Sequence, residues 1–321
     1  VTIHPIPSGT RDVLPDEMRE LRAITAAIAE RFDAAGYGEV ATPALEYEST
    51  LARGDTRGAP PAYKLFDERG ETLVLRSDMT VPIARLVATR FADAEGPLRL
   101  CYFAHAYRGV RPQRGQPREF LQAGIELIGA PAPDGTAEAL GLLCDVLDGV
   151  GLRDYRIGLG DAGLYPGLLD GFGVVGEVRE RIVHELVTKD FVGLQREVSA
   201  LALEAQAAEL LVRVPQLRGG AEVLAALDGR AVDAADGLRR VIERLPGQVA
   251  ERVILDLGLL GGLGYYTGAI FEVYDPALGV PIGRGGRYDD LLGRFGRPQA
   301  AVGWALTVER LHLALFGEGA R

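Results

Sequence analysis

The stretch LRLCYFAHAYRGVRPQRGQPREFLQAGIELI, Leu98 to Ile128, reads as two strands around a loop. Strand-like runs at 98–108 and 119–128 flank Gly109–Arg118, a segment of glycine, proline and arginine. A second pair lies upstream, where Tyr63–Phe66 and Thr72–Leu75 surround the turn-forming Asp67-Glu68-Arg69-Gly70. Strands joined by short hairpin-like connections argue for an antiparallel sheet with helices packed on it. They argue against a doubly wound βαβ fold.

Working outward, residues 15–35 place Met18, Leu21, Ile24, Ile28 and Phe32 on one helical face. Pro15, Asp16 and Glu17 suit a first turn, and Gly36 suits the position past the last. Glu39 to Pro43 reads as a short strand, 81–91 and 135–149 as helices, and 154–159 as a strand. Residues 163–250 are mostly helical in pattern, with breaks at Gly and Pro, and read as an insertion. Strand signals return at Arg252–Leu257, Ala269–Tyr274 and Pro281–Gly283, before a last helix, Ala305–Phe316. The fold class is therefore α+β. A core of 1–162 and 251–321 is interrupted by a helical insertion at 163–250.

Composition narrows the function. The 321 residues are 47% hydrophobic and have a mean hydropathy of +0.07, as expected of a globular chain with a sizeable core. No apolar run reaches the roughly 20 residues of a membrane span, and Val1 to Thr10 lacks the pattern of a secretion signal. A cytoplasmic protein is expected. Cys101 and Cys144 are too few for a disulfide framework, and the four histidines are scattered, so neither a structural metal nor a cofactor is expected. The net charge of -10 argues against nucleic acid as partner.

A few residues carry candidate chemistry. Arg108, Arg111, Arg114 and Arg118 crowd one loop. Guanidinium forks bind carboxylate or phosphate, so the loop reads as an anion site or as a solvated basic turn. Gln122 and Glu126 share one strand face. Glu126, among Phe120, Ile125, Leu127 and Ile128, either faces solvent or meets a donor in the interior. Asp78 and Thr80 precede a helix, where an acid can cap the first turn or hold an ammonium group.

Four segments in order resemble the class II aminoacyl-tRNA synthetases, and the histidyl enzyme in particular. Gly9-Thr10-Arg11-Asp12-Val13-Leu14-Pro15 is similar to its N-terminal signature. Tyr107 to Gly115, continuing through Gln122 and Glu126, resembles motif 2. Gly262 to Gly268, with Tyr265 and Tyr266, is similar to the histidine-specific loop. Gly285-Gly286-Arg287-Tyr288-Asp289, with Val302-Gly303 and Glu309-Arg310-Leu311, resembles motif 3.

The resemblance implies that Glu126 and Tyr266 bond the imidazole of histidine, and that Asp78, Thr80 and Gln122 face its ammonium group. Arg108 and Tyr265 complete the implied histidine-binding set, and no catalytic residue is implied. Several positions depart from the synthetase. Its loop arginine is Gly261 here, the aspartate before the tyrosine pair is Gly264, and a motif 2 glutamate is Val110. Its arginine and tyrosine after Gly115 are Gln116 and Pro117, Asp78 stands for a glutamate, and Thr307 for a glycine. Loss of the loop arginine removes a cation that adenylate formation needs, whereas amino-acid binding keeps its groups. No anticodon-binding domain is expected after motif 3.

This pattern resembles the ATP phosphoribosyltransferase regulatory subunits. That implies a non-catalytic role in the first step of histidine biosynthesis. It also implies L-histidine as feedback inhibitor and a short-form catalytic subunit as partner. A homodimer inside a larger hetero-oligomer is expected. The alternatives are a truncated synthetase-like enzyme that activates histidine with ATP, and a binding module serving another enzyme.

Overall fold

The computed structural model describes residues 6–54, 62–109, 117–227, 229–260 and 264–317. The first helix, α1 (Pro15–Ala34), opens on Pro15 with Asp16 and Glu17 in its first turn and buries Leu21, Ile24, Ile28 and Phe32. Met18 sits at the exposed margin of that face. Gly36 adopts φ +77° just beyond the helix, a conformation that favours a residue without Cβ.

Next come β1 (Gly38–Glu39), β2 (Leu45–Tyr47) and a single turn, α2 (Glu48–Leu51). The expected strand Glu39–Pro43 is shorter than its sequence suggests. The carbonyls of Thr42 and Pro43 accept from the Arg76 guanidinium at 2.6 and 3.1 Å instead of joining a ladder. The upstream hairpin forms as β3 (Lys64–Phe66) and β4 (Thr72–Leu75), and with β2 makes a three-stranded sheet ordered β2-β4-β3. Then come α3 (Thr80–Arg90), the long antiparallel pair β5 (Leu98–Tyr107) and β6 (Glu119–Ile128), α4 (Asp134–Gly149) and β7 (Arg156–Asp161).

The segment 163–250 holds α5 (Leu164–Gly171), α6 (Gly176–Val187), α7 (Phe191–Ser199), α8 (Ala205–Arg213), the two-residue β8 (Arg218–Gly219), α9 (Val232–Arg244) and α10 (Gly247–Ala250). The chain returns to the sheet with β9 (Val253–Asp256), β10 (Ala269–Tyr274), β11 (Gly283–Arg287) and β12 (Ala301–Thr307), and closes on α11 (Val308–Phe316).

The large sheet has nine strands in the order β1-β5-β6-β12-β11-β10-β7-β9-β8. From β5 to β7 every pairing is antiparallel. The expectation of an antiparallel sheet fails only at β1 beside β5 and at β9 beside β7, which are parallel. A parallel neighbour requires a long crossover, and the helical segment between β7 and β9 is one.

Two stretches differ from their sequence reading. Ala301–Thr307 is a strand, so the last helix starts at Val308 and not at Ala305. Six of those seven strand residues are apolar, and both faces of the strand are covered. Its pattern is then a continuous apolar run that cannot be told from a buried helix. The run placed at Pro281–Gly283 is shifted to Gly283–Arg287, where the glycine pair hides a strand.

One face of the sheet packs on α1, α4, α11 and the helices after β7, in a core that includes Phe32, Ile125, Leu127, Leu140 and Trp304. Trp304 donates its indole N–H to the Ala139 carbonyl at 2.9 Å. Ile125 and Leu127 are fully buried, and such side chains each contribute about 1.5–3 kcal/mol. The alternating residues of β6 therefore point the other way. There a smaller cluster of Met79, Ile83, Tyr102, Tyr265 and Tyr288 covers the sheet. No helix among the described residues is long and apolar enough to cross a membrane.

Candidate functional site

The site is built on that second face. With Ile125 and Leu127 committed to the core, the strand period turns Gln122, Gly124 and Glu126 toward α3. Glu126 is 1% exposed. It lies opposite Gly303 in the β6–β12 ladder, and a Cβ at 303 would collide with its carboxylate. The interior reading of Glu126 therefore holds, and donors meet it. Thr80 donates its hydroxyl to Oε1 at 2.8 Å, and Tyr288 donates its hydroxyl to Oε2. Burial pushes its pKa up to about 8, and these two hydrogen bonds only partly offset it.

Arg76 sets the neighbouring segment. It is 6% exposed and donates to the carbonyls of Thr42, Pro43 and His105. Its backbone also bonds Ala44 and Tyr107 at 3.0 and 2.9 Å. Two residues on, Asp78 Oδ1 accepts the N–H groups of Thr80 and Val81 at 3.1 and 3.4 Å, in the manner of a helix cap. Asp78 also lines the cavity, so its role as a cap leaves it facing that space. Burial raises its pKa, against the hydrogen bonds and the Arg108 charge that lower it.

The cavity measures about 410 Å³. Asp78, Thr80, Arg108, Gln122, Tyr265 and Tyr266 all line it. Glu126 lies behind this lining, bonded to Thr80 and to Tyr288, which also lines the cavity. All seven expected residues are thus brought together. Tyr265 is 3% exposed, with its ring 5.0 Å from that of Tyr266 and 5.9 Å from Tyr288. A Cβ at Gly286 would press on the Tyr266 ring at 2.8 Å, which gives the Gly285-Gly286 pair part of its meaning.

A cationic region completes the cavity. The Arg108 guanidinium lies 4.6 Å from the centre of the Phe120 ring, a cation–π distance. Among the described residues its Nε is buried without a partner. Burial, with Arg284 and Arg310 nearby, pushes its pKa down to about 10. Arg310 donates to the Pro281 carbonyl at 2.6 Å, and Arg284 pairs with Glu272 at 3.2 Å. A buried guanidinium with an unused N–H is prepared for an anion. Gln122 Oε1 is likewise buried and unpartnered, so it can accept from an ammonium group. One cavity thus offers acceptors and an arginine cluster, with a buried carboxyl group behind its Thr80 and Tyr288 walls.

Tyr102, Tyr288 and Arg284 also belong to the site. Tyr288 stands inside the motif 3-like run, and its place after the glycine pair is a signal that sequence reading could have used. Arg284 and Tyr102 carry no pattern that separates them from other strand residues. Val110, Arg111, Arg114, Gln116 and Gly261 lie outside the described residues. Among the described residues, no group of three or more His, Cys, Asp or Glu side chains could hold a metal ion.

Comparisons with known proteins agree with this fold. The histidyl-tRNA synthetase family model matches residues 9–311. A Symbiobacterium thermophilum protein named ATP phosphoribosyltransferase regulatory subunit is 42% identical over 327 residues, spanning 100% of this chain and 82% of that protein. A Bacillus halodurans structure described as an ATP phosphoribosyltransferase regulatory subunit/histidyl-tRNA synthetase superposes with a TM-score of 0.89 at 35% identity, covering 99% of this chain and 84% of that one. A histidine–tRNA ligase subunit from Alicyclobacillus acidocaldarius superposes with a TM-score of 0.80 at 30% identity, covering 98% of both chains. On a class II synthetase-like fold, this chain belongs to the ATP phosphoribosyltransferase regulatory subunit family.

Proposed function

We propose that the chain is a non-catalytic subunit that binds free L-histidine in this cavity and transmits its presence to a short-form ATP phosphoribosyltransferase catalytic subunit. The observation that carries the reading is Glu126. It is a buried carboxyl group held between Thr80 and Tyr288, two residues that line the cavity together with Asp78, Gln122 and Arg108. The imidazole is placed on Glu126 and Tyr266, the ammonium on Asp78, Thr80 and Gln122, and the carboxylate on Arg108, with Tyr265 packing beneath. Feedback follows if histidine binds the inhibited assembly more tightly than the active one. A homodimer within a cytoplasmic hetero-oligomer, a core of 1–162 and 251–321 carrying a helical insertion, and the absence of a nucleic-acid partner belong to the same reading.

A second reading, a synthetase-like enzyme that activates histidine with ATP, is favoured by the survival of Arg108 and Arg310 at the cavity. Gly261 and Val110 oppose it, since neither offers a charge to a nucleotide. Pyrophosphate exchange separates the two. The regulatory reading expects histidine binding with no exchange dependent on histidine and ATP, and measurable exchange sinks it.

A further inference from the structure

A second cavity, of about 500 Å³, lies where α5 and α9 meet the ends of β7, β10 and β11. It shares no lining residue with the first. The chain alternates between the two. Tyr266 and Tyr288 line the first cavity, whereas their neighbours Thr267 and Arg287 line the second.

Asp161 stands in this second cavity with 9% exposure. Its Oδ1 accepts the Gly163 N–H at 2.8 Å. Among the described residues nothing donates to Oδ2, and no arginine, lysine or histidine pairs with the side chain. Cβ atoms at Gly237 and Gly268 would still stand 4.0 Å from Oδ2, so the absence of side chains there leaves the space before that oxygen open. Asp233 and Asp289 add negative charge to the lining, and Arg287 is its one cation among the described residues. That arginine is already committed to Asp289, to Thr136 Oγ1 and to the Ala130 carbonyl. Thr267 Oγ1 accepts the Asp289 N–H at 2.9 Å, which leaves its own proton free to donate.

A buried carboxylate without a cation is costly. Burial raises the Asp161 pKa to about 6, against only the Gly163 hydrogen bond. The volume suits a small organic molecule. A bare metal ion fits poorly, because the described acids are not grouped closely enough to hold one.

We propose that this cavity is a second ligand site, one that takes a small primary-amine compound with its ammonium group on Asp161 Oδ2. Asp161→Asn keeps the size and the bond to Gly163 while removing the charge. Gly237→Leu fills the cavity from α9 and leaves Asp161 in place.

The test is calorimetric titration of the full chain with putrescine, with butanediol as the uncharged control. The expected result is saturable binding of putrescine and none of butanediol. Binding should weaken by roughly tenfold or more in Asp161→Asn, as for loss of a charge-assisted hydrogen bond, and in Gly237→Leu. It should persist in Glu126→Gln, which alters only the first cavity. Circular dichroism confirms that each variant is folded, and if one is not, the other decides. No putrescine binding above the butanediol control, or binding unchanged in a folded Asp161→Asn or Gly237→Leu variant, overturns the proposal.

Discussion

The Glu126 carboxylate occupies the space into which a side chain at Gly303 would project, across a ladder that pairs the two residues directly. Sheet and site are therefore specified together. Alanine at 303 would push the carboxylate away from Thr80 and Tyr288. Overpacking of this kind costs about 1–3 kcal/mol. Gly303→Ala should lower stability in urea by that amount and weaken L-histidine binding by roughly tenfold. Wild-type stability and affinity together would show that Glu126 has another place to go.

The pH dependence of stability follows from the same carboxyl group. Its pKa rises from the usual 4.5 to about 8 on folding, so the folded state binds the proton more tightly than the unfolded one. Its contribution is complete below about 4.5 and is lost as pH rises through about 8. Asp78 and Asp161 are shifted in the same sense, so the wild-type slope alone does not isolate Glu126. The difference from Glu126→Gln does. The Tm of that variant should gain on the wild type as pH rises across this window, and a constant difference would contradict the assignment.

Arg108 should discriminate by charge. Its unpartnered Nε and its place among Arg284 and Arg310 prepare it for a carboxylate. The wild type should bind L-histidine more tightly than histamine, which lacks that group, by roughly ten- to a hundredfold, the range for a hydrogen bond to a charged group. Arg108→Met should close most of this gap by weakening histidine alone. Equal losses for both ligands would mean that Arg108 shapes the cavity without contacting the carboxylate.

Arg287 should prove structural for the first cavity. It is 2% exposed and binds Ala130, Thr136 and Asp289. Removing the guanidinium leaves the Thr136 and Ala130 acceptors without their buried donor, at a cost of about 1–3 kcal/mol, while the half-exposed Asp289 can turn to water. Arg287→Met should lose that much in urea unfolding while the protein that remains folded still binds histidine. A loss below 1 kcal/mol would place the strength of this corner elsewhere.

The pair β5 and β6 was legible because two strand-like runs flank a loop of turn formers. The helix α1 was legible because four buried residues recur at helical spacing. The strand β12 was not, since burial on both faces erases the alternation that marks a strand. The parallel edges β1 and β9 were hidden as well, because pairing direction depends on crossovers that no local pattern records. The same contrast holds in the site. Gln122 and Glu126 were visible as polar residues on an apolar strand. Tyr102 became visible only when folding brought it beside Gly124. Arg284 stood out only once it lay near Arg108 and Arg310.

The most direct test of the account is calorimetric titration of L-histidine into the wild type and into Glu126→Ala. Saturable binding to the wild type, weakened more than tenfold in the variant as expected for a contact worth roughly 1.5–3 kcal/mol, is the predicted result. Equal affinity in the two proteins would contradict the placement of histidine on Glu126, and with it the proposal that this cavity is the sensor.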